Sequence, residues 1–207
     1  MRTPTAALPS QVHIWDTWHH RRGATGQDPL HRELRERFVE LVTKVENPRV
    51  ADLGCGQGHD AIAFAEAGCR VTAIDFSPVS VRQARRGAAE RDLDVDALCH
   101  DLAEPLPLPD ASMHGVYAHL SLHYFDDTTT RSLFAEIRRV LTADGVLVFS
   151  VKSTDDPYCG TGDEVGPNMY CREGHLRHFF GRDYLKDLLP RGSPEAATHQ
   201  PLISGSV

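Results

Sequence analysis

The chain has 207 residues, 41% of them hydrophobic and 25% charged, which suits one α/β domain with a sizeable core. Its 22 Lys and Arg against 29 Asp and Glu leave a net charge of −7, a poor match for a polyanion, so no nucleic-acid partner is expected. Met1–Gln11 lacks the apolar stretch of a signal peptide, and no run of about 18 apolar residues could cross a membrane. The five cysteines (Cys55, Cys69, Cys99, Cys159 and Cys171) are odd in number and irregularly spaced; together with the missing signal they predict reduced thiols and a cytoplasmic location.

In chain order, residues 1–27 read as an N-terminal segment with an aromatic cluster, Ile14-Trp15-Asp16-Thr17-Trp18, and residues 28–207 as a single domain. Asp28-Pro29 reads as the cap and first residue of a helix. Leu30, Leu34, Phe38, Leu41, Val42 and Val45 follow at helical spacing, so the helix is expected over 29–46. Short apolar strands are expected at 49–53, 70–74, 95–99, 113–118 and 146–151. Helices are expected between them at 60–67, from Ser77-Pro78 to about Glu90, and from Asp126 or Asp127 to Leu141. Strands alternating with helices predict a Rossmann-like, doubly wound, mostly parallel sheet with helices on both faces. Ligands then bind beyond the strand C-termini, after Leu53, Ile74, Cys99, Ala118 and Val151.

The first strand runs into Gly54-Cys55-Gly56-Gln57-Gly58. Glycines there permit a sharp turn, close approach of backbone to a ligand, and free helical N–H groups aimed at it. Asp75 ends the second strand, where a carboxylate can accept both hydroxyls of a ribose; the alternative is a capping acid before Ser77-Pro78. Two cofactor classes fit such an edge, nicotinamide dinucleotides and S-adenosylmethionine. The dinucleotide fingerprint is G-x-G-x-x-G, whereas the spacing here is G-x-G-x-G. Asp52 also stands two residues before the first glycine; its charge would repel a pyrophosphate and suits a cationic amino-acid head.

Val50-Ala51-Asp52-Leu53-Gly54-Cys55-Gly56-Gln57-Gly58 resembles motif I of the class I methyltransferases. Val71 to Ser77 is similar to that family's ribose-binding segment, His100-Asp101-Leu102 to its adenine-binding motif, and Leu141 to Leu147 to its turn into strand five. The resemblance covers about residues 12–190. It implies S-adenosylmethionine as methyl donor, S-adenosylhomocysteine as product, and a cofactor site at Asp52, Gly54, Cys55, Gly56, Gly58, Asp75, Phe76, Asp101, Leu102 and His119. The aromatic cluster, like Glu173 to Phe180, is similar to segments of small bacterial enzymes of the tellurite-resistance and thiopurine-methylating sort. Trp15 and Trp18 would then close over the sulfonium, which an aromatic face attracts; the alternative is that they only cover the core.

Methyl transfer is an in-line displacement that chiefly needs alignment. The stretch after strand four, Tyr117 to Tyr124, lacks the Asn/Asp-Pro-Pro-aromatic motif of many nucleic-acid and amide methylating enzymes. With the acidic charge, this points to a small-molecule acceptor at sulfur, nitrogen or oxygen. His119 and His123 are the candidate bases, because imidazole titrates near neutrality; the alternative is that each is bonded to backbone. Residues 152–181 read as a long loop that closes as a lid. Its Cys171, His175 and His178 have loose metal-ligand spacing, but no second tight pair supports them and no metal is expected. After a helix at 182–189, Pro194 and Pro201 interrupt the tail. The sheet is therefore expected to hold five or six strands and to leave strand five as an edge for a partner subunit, as in a homodimer, or for a refolded tail; the alternative is that the tail forms a short irregular C-terminal hairpin. An NAD-dependent oxidoreductase and a non-catalytic S-adenosylmethionine-binding protein are the competing readings.

Overall fold

The computed structural model describes residues 29–189 and two strand segments, 198–199 and 202–206. Trp15, Trp18 and Asp28 lie outside the described residues. The first helix, α1 (Pro29–Val42), is followed by β1 (Arg49–Leu53), α2 (His59–Glu66), β2 (Arg70–Asp75), α3 (Pro78–Ala89), β3 (Val95–Cys99) and β4 (Met113–His119). A 3-10 turn (Leu122–Tyr124) then leads to α4 (Asp127–Val140) and β5 (Leu141–Lys152). Beyond these come β6 (Asp163–Gly166), β7 (Met169–Arg172), β8 (His175–His178), α5 (Arg182–Leu188), β9 (Thr198–His199) and β10 (Leu202–Ser206).

The main sheet has the order β3-β2-β1-β4-β5-β10-β9. The first five strands are parallel, and β10 runs antiparallel to β5. Apolar spacing decides which helix covers which face. Leu34, Phe38 and Val42 of α1 join Phe64 of α2 and Val81 and Ala84 of α3 in one buried cluster. Leu133, Phe134, Ile137 and Val140 of α4 join Leu185 and Leu188 of α5 in the other. The rings of Phe38, Phe64 and Tyr117 meet at 4.7 to 5.3 Å between centroids. Replacing one such buried ring by alanine would cost about 3–5 kcal/mol, so these faces hold the sheet rigid beneath the site. Caps set two of the helix starts: Ser77 accepts the N–H of Ser80, and Asp126 that of Thr129.

Four expectations are corrected. Helix α1 stops at Val42 because Val42 is its last residue packed on the sheet, while Val45 is exposed. Strand β5 begins at Leu141, which pairs with Met113; the register then jumps to Gly115 with Val146, so the expected Asp144-Gly145 turn is a bulge within the strand. Residues 163–178 are not an open loop but a three-stranded antiparallel sheet, β6-β7-β8. Finally, β10 and β9 complete seven strands, and Leu202 to Ser206 pair with Lys152 to Val148. The edge of β5 is thereby covered by the chain's own tail, which removes the ground for a partner subunit there.

Candidate active site

The turn after β1 lies at the C-terminal edge of the sheet, as expected. Gly54, Gly56 and Gly58 all have positive φ, at 73°, 52° and 80°, a backbone that costs other residues strain. At two of them the close neighbour is protein. A Cβ on Gly54 would sit 2.4 Å from the Cβ of Ser121, and one on Gly58 2.6 Å from that of Ala84. The N–H groups are also engaged internally. Gly54 and Cys55 both donate to the Ile74 carbonyl, Gly58 donates to that of Cys55, and Gly56 donates to Asp75 Oδ2 at 2.8 Å. The expected set of free N–H groups is therefore not what the turn presents. A pyrophosphate, which is held by such groups, finds few donors here.

Carboxylates dominate instead. Asp52 is buried, and its Oδ2 has no hydrogen-bond partner. Burial, with Asp60 and Asp75 nearby, pushes its pKa well above the usual carboxylate range, against a smaller lowering by the Ala61 N–H. The same causes, burial first and then Asp52 and Asp75, push the Cys55 thiol up. Asp75 is buried and accepts from Gly56 and from Ser77 (2.9 Å), so it does cap the following turn. A carboxylate has about four acceptor positions, so capping and ribose binding are compatible. An orphaned buried carboxylate oxygen among neighbouring acids is an environment short of positive charge. It fits a ligand that carries an ammonium and a sulfonium, and it opposes one that carries phosphates.

Asp75 pairs with Cys99 across β2 and β3, so His100 and Asp101 continue along the same edge. Asp101 is exposed and accepts the N–H of Ala103 at 2.9 Å; Leu102 is buried in the core with Ala51 and Ile74. Phe76 is half-buried, and its carbonyl lies 3.5 Å from the Cys99 thiol. The edge thus holds the side chains expected to take a ribose and an adenine.

On the acceptor side, His119 bonds a side chain, whereas His123 leaves both ring nitrogens unbonded and so departs from the backbone-bonded alternative. His119 Nδ1 lies 2.7 Å from Ser150 Oγ, and its ring stacks on His31 with centroids 4.1 Å apart and planes 4° apart. His31 Nε2 is in turn 2.7 Å from Asp60 Oδ2, and Arg35 Nη1 is 3.6 Å from Asp60 Oδ1. Sequence reasoning missed His31, Arg35, Asp60 and Ser150. The available signal was the i, i+4 spacing of His31 and Arg35, which puts both on one face of α1. Tyr117 sits beneath: its hydroxyl is buried without a partner, and burial followed by Asp60 and Asp52 raises its pKa strongly. His123 is fully buried, with no hydrogen-bond partner at either ring nitrogen, and stacks near Tyr124 at 4.2 Å. Burial, and then the charges of Lys152 and Arg177, hold its pKa well below the usual value, so it is neutral.

The β7–β8 register separates the loosely spaced metal candidates. Cys171 faces Leu176, on the same side as His178, while His175 lies on the opposite side. No group of three or more His, Cys, Asp or Glu side chains among the described residues is arranged to hold a metal. All five cysteines are free thiols, and no described helix is long and apolar enough to cross a membrane.

Residues 50–145 match the family model described as a methyltransferase domain. The chain is 33% identical over 135 residues to a malonyl-[acyl-carrier protein] O-methyltransferase of Methylovorus, covering 61% of this chain and 45% of that protein. It is 31% identical over 118 residues to an S-adenosyl-L-methionine-dependent Diels-Alderase of Talaromyces variabilis, covering 55% of this chain and 39% of that one. The chain thus spans about half or less of the length of these relatives. Its fold is shared with a Burkholderia thailandensis 1,6-didemethyltoxoflavin-N1-methyltransferase, solved with bound 1,6-didemethyltoxoflavin and S-adenosylhomocysteine. That match has a TM-score of 0.72 at 20% identity and covers 100% of this chain and 92% of that one.

Proposed function

We propose that this chain, whose residues 50–145 match a methyltransferase domain, binds S-adenosylmethionine and moves its methyl group to a small-molecule acceptor at oxygen, nitrogen or sulfur. When bound, the cofactor supplies a methyl carbon activated by a sulfonium. The observation that carries the reading is the buried Asp52 carboxylate, with Oδ2 unpartnered, beside a turn in which the N–H groups of Gly54, Cys55, Gly56 and Gly58 are already bonded. In this reading Asp52 offsets the positive head of the cofactor, Asp75 holds the ribose, and Asp101 and Leu102 flank the adenine, with Phe76 and Cys55 lining the edge. Trp15 and Trp18 would cover it from the N-terminal segment, as in the tellurite-resistance and thiopurine enzymes that this segment resembles.

The protein's main contribution to the reaction is then alignment and exclusion of water. His119, fixed by Ser150 and the His31 ring, is the residue that takes a proton from an acceptor arriving protonated. His123 is neutral and buried, and serves as a second acceptor or donor. The β6-β7-β8 sheet closes over the acceptor. A cytoplasmic location belongs to the same proposal. Calorimetry with S-adenosylhomocysteine and with NAD tests the cofactor, with binding of the first alone as the expected outcome. Tight NAD binding would sink the reading. The relative named as a Diels-Alderase keeps a second reading in play, cofactor binding without methyl transfer. Production of S-adenosylhomocysteine across a panel of acceptors separates the two.

A further inference from the structure

Two cations lie on the acceptor side of the sheet edge, and only one of them is neutralised. Lys152, at the end of β5, donates to Asp156 Oδ2 at 2.8 Å, and Asp156 is buried. Arg177, on β8, has no such partner. Its Nε is buried and unbonded, and it forms no ion pair among the described residues. A guanidinium keeps its charge at any accessible pH, and a partly buried, unpaired charge is unfavourable unless something completes it.

The surroundings of Arg177 show what is missing. Strand β8 packs against the 3-10 turn, where His123 is fully buried with both ring nitrogens unbonded. Burial and the charges of Lys152, Arg177, His119 and His178 keep that ring neutral, so it carries one N–H donor. The turn itself adjoins the proposed cofactor site. Ser121, one residue before it, donates to the Leu53 carbonyl at 2.7 Å and lies against Gly54. An unpaired guanidinium and an unpaired neutral imidazole therefore lie on two packed elements beside the proposed cofactor site.

We propose that the interface between the 3-10 turn and β8 binds a carboxylate of the methyl acceptor, with Arg177 as its counter-ion and His123 as a hydrogen-bond donor. The planar fork of arginine matches the two oxygens of a carboxylate. One net positive charge suits a monoanion. A phosphate dianion would exceed it in a chain of net charge −7 that already holds Asp52 and Asp75 nearby. This inference rests on the methyl-transfer reading above and narrows its substrate class to carboxylic acids.

The test uses the whole chain loaded with S-adenosylhomocysteine and follows the Arg177 Nε–H resonance by NMR. Benzoate and malonyl-N-acetylcysteamine are the carboxylate probes, benzamide and acetyl-N-acetylcysteamine the uncharged counterparts, and inorganic phosphate the competing anion. At least one carboxylate is expected to give a saturable shift that its uncharged counterpart does not. By calorimetry, Arg177→Met should weaken that carboxylate at least tenfold, as should Arg177→Lys, which keeps the charge but loses the fork; S-adenosylhomocysteine binding reports that each variant is folded. Equal responses to charged and uncharged probes, stronger binding of phosphate, or no response to either carboxylate would overturn the inference. If S-adenosylhomocysteine itself fails to bind, the methyl-transfer reading falls first, and the two failures are told apart.

Discussion

The imidazole rings of His31 and His119 lie face to face, 4.1 Å apart and within 4° of parallel, although one sits on the first helix and the other ends the fourth strand. Each is held from its far side, His31 by Asp60 and His119 by Ser150. The stack ties α1 to the acceptor edge and fixes the orientation of the ring proposed to handle the proton.

His31→Ala should therefore destabilise the fold by about 2 kcal/mol, combining loss of a ring stack with loss of a hydrogen bond to a charged group. His31→Phe keeps the stack and should recover part of the loss. Urea unfolding of the three proteins measures this, and an unchanged midpoint for His31→Ala would remove the stack from the account.

Asp52 and Asp75 should respond in opposite ways. The folded-state pKa of Asp52 is raised, so the native state holds its proton longer than the unfolded chain. Stability then falls as pH rises from the unfolded carboxyl value, about 3.9, to the raised folded value, and the penalty persists above it. Asp52→Asn is expected to stabilise the ligand-free protein at pH 7 while weakening S-adenosylhomocysteine. Asp75→Ala should weaken S-adenosylhomocysteine by about 1.5–3 kcal/mol and also loosen the turn that Gly56 and Ser77 bond to it. Calorimetry paired with thermal unfolding separates the two; a destabilised Asp52→Asn protein at pH 7 would contradict the electrostatic account.

Acid should act through His123. Its folded pKa is lowered, chiefly by burial, so the unfolded chain takes up the proton first as pH falls below about 6.5. Stability is present above that pH and is lost below it, at up to roughly 1.4 kcal/mol per pH unit for this one group, until the folded value is reached. His123→Leu should flatten the dependence between pH 7 and pH 5 in urea unfolding. An equally steep variant would mean that other groups carry the acid response; His178 and His175, also lowered by burial, come next.

Removing residues 190–207 should uncover β5, because β10 supplies the pairing for Val148 to Lys152. An unpaired apolar strand invites edge-to-edge association. Sedimentation velocity should show concentration-dependent self-association in the shortened chain and less of it in the full one. Identical behaviour would mean that the tail does not protect the strand.

The sequence by itself determined the parallel core of this protein. Alternating apolar runs, Ser77-Pro78 and Asp126 as caps, and glycines after the first strand are local signals, and each is read within a few residues of where it acts. The positions of the carboxylates Asp52, Asp75 and Asp101 were legible for the same reason, since each lies within two residues of a strand end on an edge that topology dictates. Only the tertiary structure decided what those residues touch. The turn's N–H groups are bonded inward to Ile74, Cys55 and Asp75, and Ser121 and Ala84 of distant segments fill the space that a Cβ on Gly54 or Gly58 would need. Asp60 meets His31 across 29 positions, and Ser150 meets His119 across 31; no periodicity encodes such pairs. The tail was misread because Pro194 and Pro201 argue against strands locally, whereas the open hydrogen-bonding edge of β5 supplies the pairing that local propensity lacks. The hairpin sheet was hidden for the same reason: pairing between β6, β7 and β8 is a property of neighbours in space, and strand propensity is set by those neighbours more than by the residues themselves.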